Sequence, residues 1–303
     1  IEFYQKARKA GIKPILGMEA YVAPGDRRDK GQTPITHESK TPSRTPEDPA
    51  LRGRLPYYHL ILLAENEIGW KNLIKLATRA SLEGFYYKPR VDKELLREHH
   101  EGLIALSGCM TGEIPRLILS GKMSVAEKAV EEYIDIFGKN NFFLEIGHHP
   151  AIKELKIINE GLIELSKKTG VALCATQDSH YLTKEDAPYH DILLAVQTGN
   201  KLTDDDRLTL KDDDFSLRPE DEMAKLFKDI PEAIESTVKI AERCNVEIEF
   251  GKIRLPSFPL PEGKNAMGYL RELANVRTKK RFPEGVGEEV TLRLNFELDV
   301  IDK

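Results

Sequence analysis

The chain has 303 residues, 40% hydrophobic and 31% charged, with a formal net charge of −5. That is enough chain for one large domain or two modest ones with a sizeable core, and the acidic balance excludes a uniformly basic nucleic-acid coat without excluding a local DNA-contact surface. Three scattered cysteines, Cys109, Cys174 and Cys244, exclude a disulfide framework and point to a reducing compartment; no apolar run approaches a membrane span, and the opening segment lacks the basic-then-apolar pattern of a secretory leader.

The opening segment IEFYQKARKAG reads as an amphipathic helix with Phe3, Ala7 and Ala10 on one face and Gly11 at the C′ position. IKPILGMEAYVA (12–23) reads as a strand. Residues 24–56 are polar and rich in Pro, Arg, Lys and Thr, and are expected to form an exposed, mobile insertion. YYHLILLA (57–64) is a second strand, followed by a helix with Trp70, Leu73, Ile74 and Ala77 on one face. GLIALSG (102–108) is a third strand, followed by helices near 113–119 and over 124–137, the latter ended by Gly138. NFFLEIG (141–147) is a fourth strand. The next helix aligns Leu155, Ile158, Leu162 and Leu165, and Gly170 follows it. VALCATQD (171–178) is a fifth strand. Repeated strand–helix units with apolar strands predict an α/β fold with a parallel sheet or barrel. In such folds chemistry gathers at the C-terminal strand ends.

Beyond these units the pattern changes. Residues 202–222 carry two aspartate triplets, at 204–206 and 212–214, in a hydrophilic loop. The chain then turns helical over 222–244, with Pro231 suited to a helix start. RLPSFPLPEG (254–263) reads as a boundary loop, which places the main domain before about residue 250. The closing LRLNFELDVIDK is an amphipathic helix. Both ends read as cut inside helices.

Several side chains are competent for chemistry. Asp178 and His180, in ATQDSHYL, follow a strand. Positions i and i+2 of an extended segment share a side, so they can offer a carboxylate oxygen and an imidazole nitrogen to one cation or to neighbouring cations. That donor set suits zinc or manganese. The alternative, a turn-capping Asp178 and a surface His180, stays open on this segment alone. Glu19 is an acid inside an apolar strand, which requires a partner if buried and none if it faces outward. His59 opens the run LILLA, and Cys109 follows a strand end; each alone fits an ordinary buried residue. The shared location of all five, in or just after strands, is what joins them. His148 and His149 end the fourth strand and are expected to support ligands or contact a substrate phosphate. His99 and His100 sit at a helix end, and Cys174 belongs to the core. A two-metal role for the aspartate triplets is rejected in favour of a solvated acidic loop. No phosphate-binding glycine loop, dinucleotide turn or nucleophile elbow is present.

Taken in order, ARKAGIKPILGMEAYVAP, YYHLILLA, LSGCMTGEIPRL, FFLEIGHH, ATQDSHYL, HDILLAVQTG, IPEAIESTVKIAERCNVEIEFGK and LPSFPLPEG resemble the N-terminal part of bacterial DNA polymerase III alpha subunits over nearly the whole chain. The resemblance implies a PHP (polymerase and histidinol phosphatase) domain over residues 1–250. This is a distorted (βα) barrel, here without its first βα unit, followed by a mainly helical connector over 251–303 that leads towards the polymerase palm. It implies a metal site to which this chain contributes Glu19, His59, Cys109, Asp178 and His180. The family's His-x-His pair, a further acid and another His precede residue 1. The palm carboxylates lie beyond the last residue, so no polymerisation chemistry is carried here. ANVRTKK (274–280) departs from the family pattern.

For the full-length protein the resemblance implies a cytoplasmic, membrane-free DNA-directed DNA polymerase, a nucleotidyltransferase of chromosome replication. It would use DNA, dNTPs and magnesium, and would work with a proofreading exonuclease subunit, a sliding clamp and other replisome subunits. For the PHP domain it implies zinc or manganese and 3′–5′ exonuclease or phosphoesterase chemistry. Two alternatives remain: a metal-free PHP scaffold that docks the proofreading exonuclease, and a stand-alone phosphatase such as histidinol phosphatase. The helical segment after Leu202 weighs against the second. The 303-residue piece by itself is expected to fold poorly and hold metal weakly.

Overall fold

In a computed structural model of the chain, the described residues are 1–30, 57–205, 207–252 and 256–303. The expected mobile insertion therefore lies outside the described residues over 31–56. Residues 24–30 are irregular and exposed as expected, except at one position. Arg27 is 1% exposed and pairs with Asp92 at 2.9 Å and with Glu83 at 2.5 Å. A guanidinium with two carboxylate partners can leave water where an unpaired one cannot.

Strands β1 (Gly17–Val22), β2 (Tyr58–Ala64), β3 (Arg90–Val91), β4 (Leu103–Leu106), β5 (Phe142–Gly147) and β6 (Leu173–Thr176) form one six-stranded sheet in the order β3-β1-β2-β4-β5-β6. Helices α1 (Glu2–Lys9), α2 (Glu67–Leu82), α3 (Lys93–Glu98), α4 (Glu113–Leu119), α5 (Met123–Phe137), α6 (Lys153–Thr169), α7 (Ala187–Thr198), α8 (Glu220–Leu226) and α9 (Pro231–Arg243) accompany it. The sheet is mixed and flanked by helices, and among the described residues it does not close on itself. It is a distorted form of the expected barrel.

One expectation needs correcting. The sheet is not all parallel: β4, β5 and β6 are parallel, but β2 runs antiparallel to both β1 and β4. A parallel neighbour needs a long crossover connection, which an antiparallel pair does not. The consequence is functional. The N-terminal end of β2 lies at the same rim as the C-terminal ends of β1, β4, β5 and β6.

Cross-strand partners share a face, and the register pairs Glu19 with Ile61, Ile61 with Leu106, and Glu145 with Cys174. On that face Ile104, Leu106, Phe143 and Cys174 form an apolar cluster with Ile61 and Leu63. It is closed by Ile240 and Cys244 from the α9 end. Each such side chain contributes on the order of 2 kcal/mol by leaving water. The apolar floor supports the polar rim above it.

Helical periodicity succeeded best on α6, where Leu155, Ile158, Leu162 and Leu165 are all buried and Gly170 caps the helix in a left-handed conformation. On α1 the buried residue is Tyr4, while Phe3 is 63% exposed. On α2 the buried face is Gly69, Asn72, Leu73, Leu76 and Ala80, and Ile74 is exposed. There the rotation is set by backbone contact: a Cβ on Gly69 would lie 1.8 Å from the Gly102 carbonyl oxygen. The helical stretch over 222–244 consists of α8 and α9, and Pro231 starts the second as expected. Short β3, short α3 and α7 were not anticipated.

The acidic loop also divides. Asp204 and Asp205 are exposed, and Asp206 lies outside the described residues. The second triplet is not simply solvated. Asp213 accepts the Ala151 amide at 2.8 Å, and Asp214 accepts the Ser216 amide at 3.0 Å and pairs with Arg218 at 3.1 Å. Short acidic side chains satisfy backbone donors that regular structure leaves unpaired.

The chain forms two compact units, Ile1–Glu247 and Ile248–Lys303. The second holds α10 (Ala266–Arg281) and α11 (Glu288–Ile301), linked by Arg271 and Asp299 at 2.5 Å, with Leu298 buried. Asn265 caps α10 by accepting the Gly268 amide at 2.7 Å.

Candidate metal centre

The rim is assembled from strand ends. Glu19 lies within β1 and His59 near the start of β2. Cys109 follows β4 on a turn that needs Gly108. That glycine has φ +79°, and a Cβ there would meet the His59 carbonyl oxygen at 2.6 Å. The glycine therefore lets the Cys109 turn settle directly on β2. The His59 amide donates to the Thr111 carbonyl at 3.2 Å, which fixes the same contact.

His59 Nδ1 lies 2.6 Å from Glu19 Oε1 and 3.8 Å from Cys109 Sγ. One donor atom from each of the three residues falls within 4.8 Å of the others. Cys109 Sγ is also 3.1 Å from Thr111 Oγ1. Burial works against a charged His59 ring, but hydrogen bonds to Cys109 and Glu19 outweigh it and lift the ring to about 9. Three ligand-type side chains thus meet around a His59 proton that a cation could replace.

Asp178 and His180 stand beside this group. Asp178 Oδ1 is 3.5 Å from His180 Nε2, and the side chains are 46% and 40% exposed. Burial raises the Asp178 carboxyl, but the His180 hydrogen bond and the nearby His180, His149 and His59 rings bring it below its usual range. The Asp178 hydrogen bond raises His180, aided by the charges of Asp178 and Glu19. The segment is not extended as expected: Asp178 has φ +52°, a left-handed conformation that Asp tolerates better than most residues. The turn is held by the His180 amide donating to Phe215 O at 2.8 Å and by Gln177 Nε2 donating to Asp214 O at 2.8 Å.

His149 is buried and stacked on Phe215 with ring centroids 4.0 Å apart. Its Nε2 is 3.1 Å from Gln177 O, and its Nδ1 is 3.8 Å from Asp213 Oδ1. Burial pushes this ring below the usual histidine range. His148 packs edge-on to Phe227, and its Nδ1 is buried without a hydrogen-bond partner.

One residue escaped the sequence reading. Glu145 in FFLEIG lies in an apolar strand, the same signal that singled out Glu19. Burial pushes its carboxyl up to about 7; hydrogen bonds from the Thr176 hydroxyl and the Gly108 amide oppose this, while repulsion from Asp178 and Glu19 adds to it. The Thr176 hydroxyl donates to Oε1 at 2.8 Å, and Oε2 is buried with no partner.

Residues 1–149 match the family model described as PHP domain. The chain is 41% identical to DNA polymerase III subunit alpha of Borreliella burgdorferi over 99% of its length and 25% of the relative's. It is 42% identical to the Thermus aquaticus subunit of the same name over 95% of its length and 22% of the relative's. For the Treponema pallidum subunit the figures are 40%, 99% and 24%. The chain belongs with the PHP-domain region of bacterial DNA polymerase III alpha subunits. It spans about a quarter of the length of these curated relatives.

The mixed, open sheet is thus a PHP-type α/β fold, and Glu19, His59 and Cys109 are its candidate metal-binding cluster. The residues fit a metal. Their carboxylate, imidazole and thiol donors converge within 4.8 Å, and the nearby Glu145 Oε2 is buried without a hydrogen-bond partner. This donor set is consistent with metal-dependent phosphoesterase chemistry. No helix among the described residues is long and apolar enough to cross a membrane.

Proposed function

We propose that this chain supplies part of a divalent metal centre within a replicative DNA polymerase alpha subunit, with Glu19, His59, Cys109, Asp178 and His180 as its contributed ligands. The convergence of the Glu19, His59 and Cys109 donors within 4.8 Å supports this reading most directly. Asp178 and His180 extend the donor set along the rim. Zinc or manganese suits such mixed oxygen, nitrogen and sulfur ligation. When bound, such a metal lowers the pKa of a coordinated water and neutralises charge on a phosphate oxygen.

The protein groups have separable tasks in this reading. Glu19, Asp178 and the Cys109 thiolate supply negative charge, while His59 must give up its proton before its Nδ1 can ligate. His148 and His149 line the end of β5, where they contact a substrate phosphate or orient the ligands. The substrate is a phosphodiester at a DNA 3′ end, which makes the activity a 3′–5′ exonuclease.

The unit Ile1–Glu247 is the PHP domain in this account, and the unit Ile248–Lys303 is the connector towards the palm. The full-length subunit is a cytoplasmic DNA-directed DNA polymerase using DNA, dNTPs and magnesium, partnered by a proofreading exonuclease and sliding clamp.

Metal content of the full-length subunit tests the reading. Purified protein should retain zinc or manganese against a weak chelator. His59→Ala and Cys109→Ser should each weaken retention by at least about tenfold, because each removes a direct ligand. Parent protein that holds no metal would leave the scaffold role in its place.

A further inference from the structure

We propose that Glu145 is a further anionic group of the metal centre, lying beneath Glu19 and Asp178, and that its negative charge is part of what holds the cation. The inference rests on the metal-centre reading above and adds a residue to it.

The geometry begins with the sheet. β5 lies between β4 and β6, the strands that lead into Cys109 and Asp178. Glu145 pairs with Cys174 and lies two residues beyond Phe143, so it shares their interior face, one step above the apolar floor. Its amide donates to Ser107 Oγ at 2.9 Å, and Ser107 lies two residues before Cys109. Its Oε1 accepts the Thr176 hydroxyl at 2.8 Å, and Thr176 lies two residues before Asp178. Glu145 is therefore fastened to both arms of the rim.

The second carboxylate oxygen is what a structural role leaves unexplained. Oε2 is buried and has no hydrogen-bond partner. Among the described residues no lysine or arginine forms an ion pair with Glu145. Instead its charged neighbours include the like-charged Asp178 and Glu19. A buried acid surrounded by acids is unfavourable unless a cation joins them. Holding Thr176 needs only one oxygen, which glutamine would provide without the charge. The carboxylate at this position is explained when a divalent cation completes the group.

The test compares Glu145→Gln, Glu145→Asp and Thr176→Val with the parent full-length subunit. Zinc affinity is measured by chelator competition, and thermal stability is measured on metal-stripped protein. Glu145→Gln keeps the Thr176 hydrogen bond and removes the charge. It should weaken zinc binding by about 10- to 100-fold, the range found when groups supporting a metal site are removed. At the same time the metal-stripped protein should be no less stable, because a like-charge repulsion is relieved. Glu145→Asp keeps the charge and should recover part of the affinity. Thr176→Val keeps the charge and should retain most of it.

Parent-like zinc affinity in Glu145→Gln would overturn the assignment while leaving the metal centre intact. So would a Glu145→Gln protein whose only defect is a lower Tm. A parent subunit that binds no zinc would overturn both readings, and that result is distinct from the other two.

Discussion

His59 shows how one side chain ties the site to pH. Burial opposes its charge, yet Cys109 and Glu19 raise it from 6.5 to about 9 in the metal-free protein. A group with a raised folded pKa stabilises the fold fully below its unfolded value, and this contribution is lost as pH rises through the folded value. The metal-stripped protein should therefore lose part of its thermal stability between pH of about 6.5 and about 9. Tm measured against pH in chelator should show this slope, and His59→Gln should flatten it. Metal affinity should run the other way, rising over the same window as the competing proton leaves. Arg27 is a structural counterpart. It is 1% exposed, bonded to the buried Asp92 through both oxygens and to Glu83. Arg27→Ala leaves Asp92 buried without its cation and should cost about 3–5 kcal/mol, readable as a lower urea midpoint with an unchanged slope.

At the scale of elements, the rim depends on how β2 and α2 are seated. β2 enters antiparallel, so its first residues meet the ends of its neighbours, and His59 joins Cys109 across the gap opened by Gly108. α2 is started by Asn66, whose side chain accepts the Ile68 and Gly69 amides at 3.0 and 3.1 Å. Its position against Gly102, ahead of β4, is then set by the missing side chain at Gly69. Asn66→Ala removes both capping bonds and should destabilise the protein by about 1 kcal/mol. Calorimetry should report that loss with metal retention nearly unchanged, because the cap lies away from the ligands. A loss of metal equal to that of His59→Ala would mean that α2 seating governs the rim more directly.

For the whole molecule, the metal centre proposed above, with donors from β1, β2, the turn after β4 and the turn after β6, would couple metal binding to folding, since those donors come together only when the sheet is paired. Saturating metal should stabilise the subunit by mass action, about 2.7 kcal/mol at a hundred times the dissociation constant. The Tm should climb with the logarithm of metal concentration. Glu19→Gln combined with Cys109→Ser should abolish the climb. A metal-independent Tm in the parent would argue that the donors never close on an ion.

The sequence by itself determined the local elements and the residue types at the rim. The buried stripe of α6, the apolar strands and the positions of Glu19, His59, Cys109, Asp178 and His180 followed from periodicity, strand patterning and ordered motifs. These are short-range properties of the chain. It did not reveal β3 or α3, which are too short for a period to emerge. Nor did it show the buried anchoring of Arg27 or the capping of the Ala151 amide by Asp213, which depend on partners far along the chain. Tertiary structure alone decided that β2 runs antiparallel. It alone separated two acids with the same local signature, placing Glu19 half-exposed at the rim and the Glu145 carboxylate beneath it. Strand order and register are settled by long-range pairing and burial, and a single apolar strand containing one acid is compatible with either position.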